Sequence, residues 1–208
     1  MSRLSHRGIL LAAGALALAG CDGDDDARFC LGDPAAIVSI AEGNRWNYRI
    51  REFDSTHTLK ATRAQRVAIV GDTVIDSETW YRIDTDGDRD FAWTLRDDGL
   101  WVWYEFAYPT NNPPFRMAKF PAVIGDFWVI EQNGPDYAVT VVDTAAVVSV
   151  PAGVFWTHHY RMTNETGDLV RDIYYAPGLG RVYEVTASTQ PNPHTHVTEL
   201  TDFSSPNC

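Results

Sequence analysis

FAWTLRDDGLWVWYEFAY (residues 91–108) is the stretch that decides the fold. Phe91, Trp93 and Leu95 alternate with Ala92, Thr94 and Arg96. A period of two turns one face toward a core and the other toward solvent, so the segment reads as a strand. Asp98-Gly99 follows, a pair that tolerates the positive-φ backbone of tight hairpin turns. LWVWYEFAY begins at once, so a second strand returns antiparallel to the first.

The same grammar extends in both directions. Trp46, Tyr48 and Ile50 alternate with Arg45, Asn47, Arg49 and Arg51. HTLKATRAQRVAIV (57–70) leads to an expected turn at Gly71-Asp72, and Val74 to Asp84 contains WYRI. Beyond the loop PTNNPP (109–114) come FRMAKF, DFWVIE and YAVTVVDTAAVVSV (137–150), then a Pro151-Ala152-Gly153 turn and VFWTHHYRM. LVRDIYYA (169–176), GRVYEVTAS (180–188) and HVTELTDF (196–203) complete the series. About a dozen strands joined by short turns predict an all-β fold: an antiparallel meander forming a strongly curved sheet or an up-and-down barrel, with a two-sheet sandwich as runner-up. One short helix is expected at its start. Asp33 can cap it, Pro34 suits its first turn, and Gly43 can end it after AAIVSIAE.

The amino terminus has a different grammar. Arg3, His6 and Arg7 precede an apolar run from Ile9 to Ala19 that is too short to span a bilayer, which takes about 20 residues. A basic start, a short apolar run and small residues before Cys21 make the layout of a secretory signal. Leu18-Ala19-Gly20-Cys21 resembles the lipobox of bacterial lipoproteins at all four positions. The resemblance implies removal of residues 1–20 as a signal peptide and lipidation of Cys21. More than one acyl chain is needed for stable attachment, because a single chain holds a membrane marginally. Residues 21–32, with Asp22 and Asp24 to Asp26, then form a solvated acidic tether, and 33–208 form a single β-rich domain. The implied location is the bacterial cell envelope, lipid-anchored and facing the periplasm or the exterior, with inner and outer membrane both open.

That context bears on the two remaining cysteines. In an oxidising compartment Cys30 and Cys208 are expected to pair, stapling the tether to the C-terminal tail. The long loop so closed is worth on the order of 5 kcal/mol by the chain-entropy account. Two free thiols are the alternative.

The body carries a second resemblance. EGNRWNY (42–48), DDGLWVW (97–103), FPAVIGDFW (120–128), VPAGVF (150–155) and YYAPGLGRV (174–182) occur in this order. Together they are similar to phrases of uncharacterised bacterial secreted and lipoprotein β-domains. The resemblance implies a fold and carries no activity. Gly153 and Gly178 or Gly180 are expected at positive-φ turn positions.

Charge narrows the function. The chain has a net charge of −11, and without residues 1–20, which hold Arg3 and Arg7 and no acid, it has 15 basic against 28 acidic side chains. Such a chain lacks the clustered Lys and Arg that phosphate backbones require, which argues against a nucleic-acid partner. Asp84, Asp86, Asp88 and Asp90 alternate around Gly87 like a calcium loop, but Arg89 and Leu95 stand where an EF-hand needs Gly and Glu. A solvated hairpin tip is the plainer reading, weak calcium binding the alternative, and no other cofactor is expected.

Alternation through VFWTHHYRM puts Trp156, His158 and Tyr160 on one face and Phe155, Thr157 and His159 on the other, so the adjacent histidines diverge. His194 and His196 share a face but are two ligands where zinc takes three or four. No G-x-S-x-G nucleophile turn occurs. A hydrolase using His158 or the His194/His196 pair is therefore the least supported reading. Aromatic excess without a catalytic constellation favours a non-enzymatic binding domain for an apolar ligand or an envelope protein, with Trp101, Trp103, Trp156 and Tyr160 as candidate contacts. A structural or assembly lipoprotein acting through strand edges is the alternative.

Overall fold

The computed structural model describes residues 33–104, 113–131, 135–189 and 193–206, with the backbone alone at 88–90. The signal segment, the tether, Cys21, Cys30 and Cys208 lie outside the described residues.

Twelve strands form one antiparallel sheet: β1 (Arg45–Asp54), β2 (Leu59–Ile75), β3 (Glu78–Thr85), β4 (Asp88–Arg96), β5 (Gly99–Trp103), β6 (Phe115–Lys119), β7 (Phe127–Ile130), β8 (Tyr137–Val150), β9 (Gly153–Asn164), β10 (Leu169–Ala176), β11 (Gly180–Ser188) and β12 (His194–Ser204). Their order is β6-β5-β4-β3-β2-β1-β12-β11-β10-β9-β8-β7, so sequence neighbours pair throughout except β6 and β7, and the two ends of the domain join through β1 and β12. The sheet curls into a nearly closed barrel rather than a sandwich.

The expected helix at 33–43 is not there. Asp33 does cap, accepting a hydrogen bond from the Ala35 N–H at 2.8 Å, but only one turn forms. Tertiary pairing claims the rest. Val38 bridges to Leu179, the Ser39 N–H donates to the Gly178 carbonyl, and Gly43 and Asn44 exchange backbone bonds with Ile69. Ile37 and Val38 are thereby buried as a plug across one end of the barrel.

The expected turn at Gly71-Asp72 is also displaced. β2 runs through it with a register shift between Ile69 and Gly71, and the chain reverses at Asp76-Ser77, both at positive φ. An inserted residue bends a strand without ending it. The hairpin read at Asp98-Gly99 turns on Asp97-Asp98, with Gly99 opening β5 opposite Arg96. A side chain at Gly99 would overlap the Ala118 carbonyl on the neighbouring strand.

β8 and β9 pair with irregularities between Val141 and Asp143 and between Asp143 and Ala146. Both extra residues lie on β8, so the alternation read in VFWTHHYRM holds, with His158 stacked on Tyr160 and His159 turned away onto Tyr174. Tyr160 and Met162 enter the core, whereas Trp156 is 70% exposed beside Val147 and near Val154.

Candidate functional site

Strand connections alternate between the two ends of the barrel. Segment 33–43 closes the end bearing the 76–77, 97–98 and 177–179 turns. Above this plug lies a cavity of about 270 Å³ lined by Trp46, Val67, Phe91, Trp93, Leu100 and Val102 among others. A second space of about 230 Å³ adjoins it, and Tyr104, Met117 and Arg171 line both.

Trp46 forms the floor. It is buried, its Nε1 donates to the Leu179 carbonyl at 2.7 Å, and its ring meets Trp93 edge-on at 5.7 Å. Gly180 lies beside it at φ +98, and a Cβ there would come within 2.9 Å of Val38 Cγ2. Glycine is thus needed both for the backbone conformation and for room against the plug.

The polar part of the lining comes from β10 and β11. Glu184 is buried between two arginines. Its Oε1 accepts from Arg171 Nε and Nη2 at 3.0 and 2.8 Å and from Thr186 Oγ1 at 2.8 Å. Its Oε2 accepts from Arg181 Nη1 at 2.7 Å. Arg181 also stacks on the Tyr48 ring at 4.7 Å, and the Tyr48 hydroxyl donates to the Arg181 carbonyl. Burial disfavours the carboxylate, but the two guanidiniums and the hydrogen bonds outweigh it and hold the Glu184 pKa down to about 2. Burial pushes the pKa values of Tyr48 and Tyr175 upward, so both stay neutral phenols.

The four aromatic candidates from the sequence are not brought together. Trp101 and Trp103 point away from the cavity that Leu100 and Val102 line. Trp101 Nε1 donates to Asp98 at 2.7 Å under the Arg96 guanidinium, and Trp103 packs edge-on against Trp80. Trp156 is on the surface. Tyr160 is buried near β6, its hydroxyl donating to the Lys119 carbonyl at 2.6 Å.

The aspartate run is a hairpin turning on Asp86-Gly87. Asp84 accepts from the Gly87 N–H and meets Arg66 at 3.3 Å, while Asp86 accepts from the Arg66 N–H. Asp88 and Asp90 have no described side chains, and no metal-binding cluster occurs among the described residues.

The histidines are likewise dispersed. His158 lies against Phe120 and Tyr160, with Nδ1 buried and without a hydrogen bond, and burial holds its pKa low against the pull of Asp143. His194 and His196 lie together on β12, where His196 approaches Glu52 at 3.7 Å. His159, unassigned from sequence, meets Asp172 at 2.7 Å and stacks on Tyr174.

Arg171, Arg181 and Glu184 were missed by sequence reading, although a signal existed for Arg171 and Glu184; Arg181 turns inward only through the register shift in β11. In LVRDIYYA, Arg171 has the parity of Ile173 and Tyr175, and in GRVYEVTAS, Glu184 has that of Val182. A charge on the apolar face of each of two neighbouring strands points to a pair facing inward.

The fold and cavity define a class: a single-sheet, all-β barrel with an aromatic interior around a buried ionic cluster. No family model and no curated protein matches the chain. Among solved structures, it is similar to a protein described as exported, with a YmcC-like fold, from Bacteroides fragilis. That match has 14% identity over 82% of this chain and 100% of that one, with a TM-score of 0.48. It is similar also to a protein described as a lipoprotein, from Parabacteroides distasonis, at 10% identity over 83% and 100% of the two chains and a TM-score of 0.36. A LolA superfamily protein from Nitrosomonas europaea aligns at 13% identity over 82% and 90%, with a TM-score of 0.31.

Proposed function

We propose that the chain is a lipid-anchored envelope lipoprotein whose barrel binds an apolar ligand without transforming it. The cavity above Trp46 carries this reading, because concave apolar walls with a few convergent polar groups are what ligand sites share. Val102→Phe, which adds volume to the wall, is expected to abolish saturable one-to-one binding of an apolar fluorescent dye, while Trp156→Ala leaves it intact. Binding that ignores Val102→Phe would refute the cavity as the site.

Lipidation of Cys21 is the second part of the proposal. Cys21→Ser is expected to remove both lipid labelling and membrane fractionation, and a variant still held in the membrane would refute the anchor. An envelope protein is the alternative ligand, favoured by the exposed Val147, Val154 and Trp156. Site-specific photocrosslinking from position 156 in whole cells distinguishes it. Action through strand edges has less support, because the Arg116 and Lys119 carbonyls of edge strand β6 already accept bonds from Trp128 and Tyr160.

A further inference from the structure

Among the described residues, the lining of the cavity above Trp46 holds more positive charge than negative. Of the described residues that line it, Arg171 and Arg181 are cationic and Glu184 alone is anionic. Glu184 is saturated by four donors. The arginines are not. Among the described residues, Arg171 Nη1 meets only the Met162 sulfur at 3.9 Å, and Arg181 places one nitrogen on Glu184 and its plane on Tyr48. Two further polar groups lack partners among the described residues. The Tyr175 hydroxyl belongs to a residue only 7% exposed, and Thr85 Oγ1 is buried; both residues line the cavity.

Unneutralised charge beside apolar walls is costly unless paired, and its worth to an incoming anion rises as water is excluded. Spare guanidinium and phenol donors therefore form an acceptor-hungry wall opposite Phe91, Trp93 and Leu100. The cavity volume suits a single alkyl chain.

Resting on the binding function proposed above, we propose that the ligand is a single-chain amphiphile with one anionic oxygen head group. Its head sits on Arg171, Arg181 and Tyr175, and its tail lies along the Trp93 wall. A fatty carboxylate and a phosphate monoester of one chain share this chemistry.

The test titrates the purified protein with dodecanoate, dodecyl phosphate, dodecanol and dodecyltrimethylammonium, each below its micelle concentration, and follows tryptophan fluorescence. The anions are expected to bind at least tenfold more tightly than the alcohol, and the cation more weakly than either. Whichever anion binds tighter identifies the head-group source. Arg181→Gln and Arg171→Gln each make the cluster neutral, and circular dichroism checks their fold. Each should lose the anion preference while keeping the alcohol affinity, and one folded variant suffices. Alcohol or cation binding as tight as the anions, or a folded variant that keeps the preference, overturns the head-group assignment alone. Failure of all four amphiphiles to bind overturns the binding function with it.

Discussion

The sheet meets itself at two junctions, and they are built in different ways. At β1 and β12, residues some 150 positions apart form a complete backbone ladder in which every residue of β1 has a partner. Trp46 and Phe203 pack together behind it, and Arg49 and Arg51 both reach Glu199 on the same pair of strands. At β6 and β7, strands only a few residues apart form no ladder. Side chains close that seam instead. Trp128 Nε1 donates to the Arg116 carbonyl at 2.8 Å, the Arg116 guanidinium stacks on the Trp128 ring, and Lys119 pairs with Asp126 at 2.8 Å. Proximity in sequence does not decide which strands pair. β6 and β7 are short, five and four residues, and offer few backbone bonds to each other. The β1 and β12 strands are long and carry matching inward faces, which fix their register.

If the ladder junction is the firm one, its anchor should carry the largest effect. Trp46→Ala removes a buried ring and the bond to Leu179, and is expected to cost about 3–5 kcal/mol in denaturant unfolding. A loss near zero would break the contrast between the junctions.

Acid should act next, on the cluster beside that junction. The Glu184 pKa is depressed in the folded chain, so its stabilising contribution is complete above the ordinary value of 4.5 and is lost as pH falls toward about 2. The loss is on the order of 3 kcal/mol. Thermal melts between pH 5 and 2.5 should show it, and Glu184→Gln should flatten that limb of the curve.

Gly180→Ala forces a Cβ against Val38 at positive φ and should cost about 1–3 kcal/mol. A melting temperature unchanged by this substitution would mean that the plug is held elsewhere. Trp128→Phe keeps a ring at the seam but deletes its donor, for an expected loss of about 1 kcal/mol. Hydrogen exchange should then quicken in β6 and not in β1; equal quickening in both would show that the junctions are coupled. Trp156→Ala, on the open surface, should change stability by no more than about 0.5 kcal/mol. A larger change by calorimetry would mean that Trp156 packs against something in solution.

Much of the strand pattern was legible beforehand. The spans YAVTVVDTAAVVSV, LVRDIYYA and GRVYEVTAS coincide with β8, β10 and β11, because alternation and flanking turn residues mark strands locally. The errors came from non-local competition. Asp33 and Pro34 favour a helix start, but Ile37 and Val38 gain more by sealing the barrel than a short helix would gain in water. Trp156 shares its face of β9 with Tyr160, but that face passes from core to surface toward the Pro151-Ala152 end of the hairpin, where Val147 and Val154 are exposed as well. Trp101 and Trp103 drew notice by size, yet Leu100 and Val102 between and beside them face the cavity.

The sequence by itself determined the strands, most of their turns, the meander order and the all-β class, since each follows from residues a few positions apart. Tertiary structure alone decided that residues 33–43 become a plug, that β6 and β7 stay unpaired, and that Arg171, Arg181 and Glu184 meet inside the barrel. Those outcomes depend on which faces oppose one another once the sheet has curled; the parity of Arg171 and Glu184 marks an inward face but not what each side chain meets there.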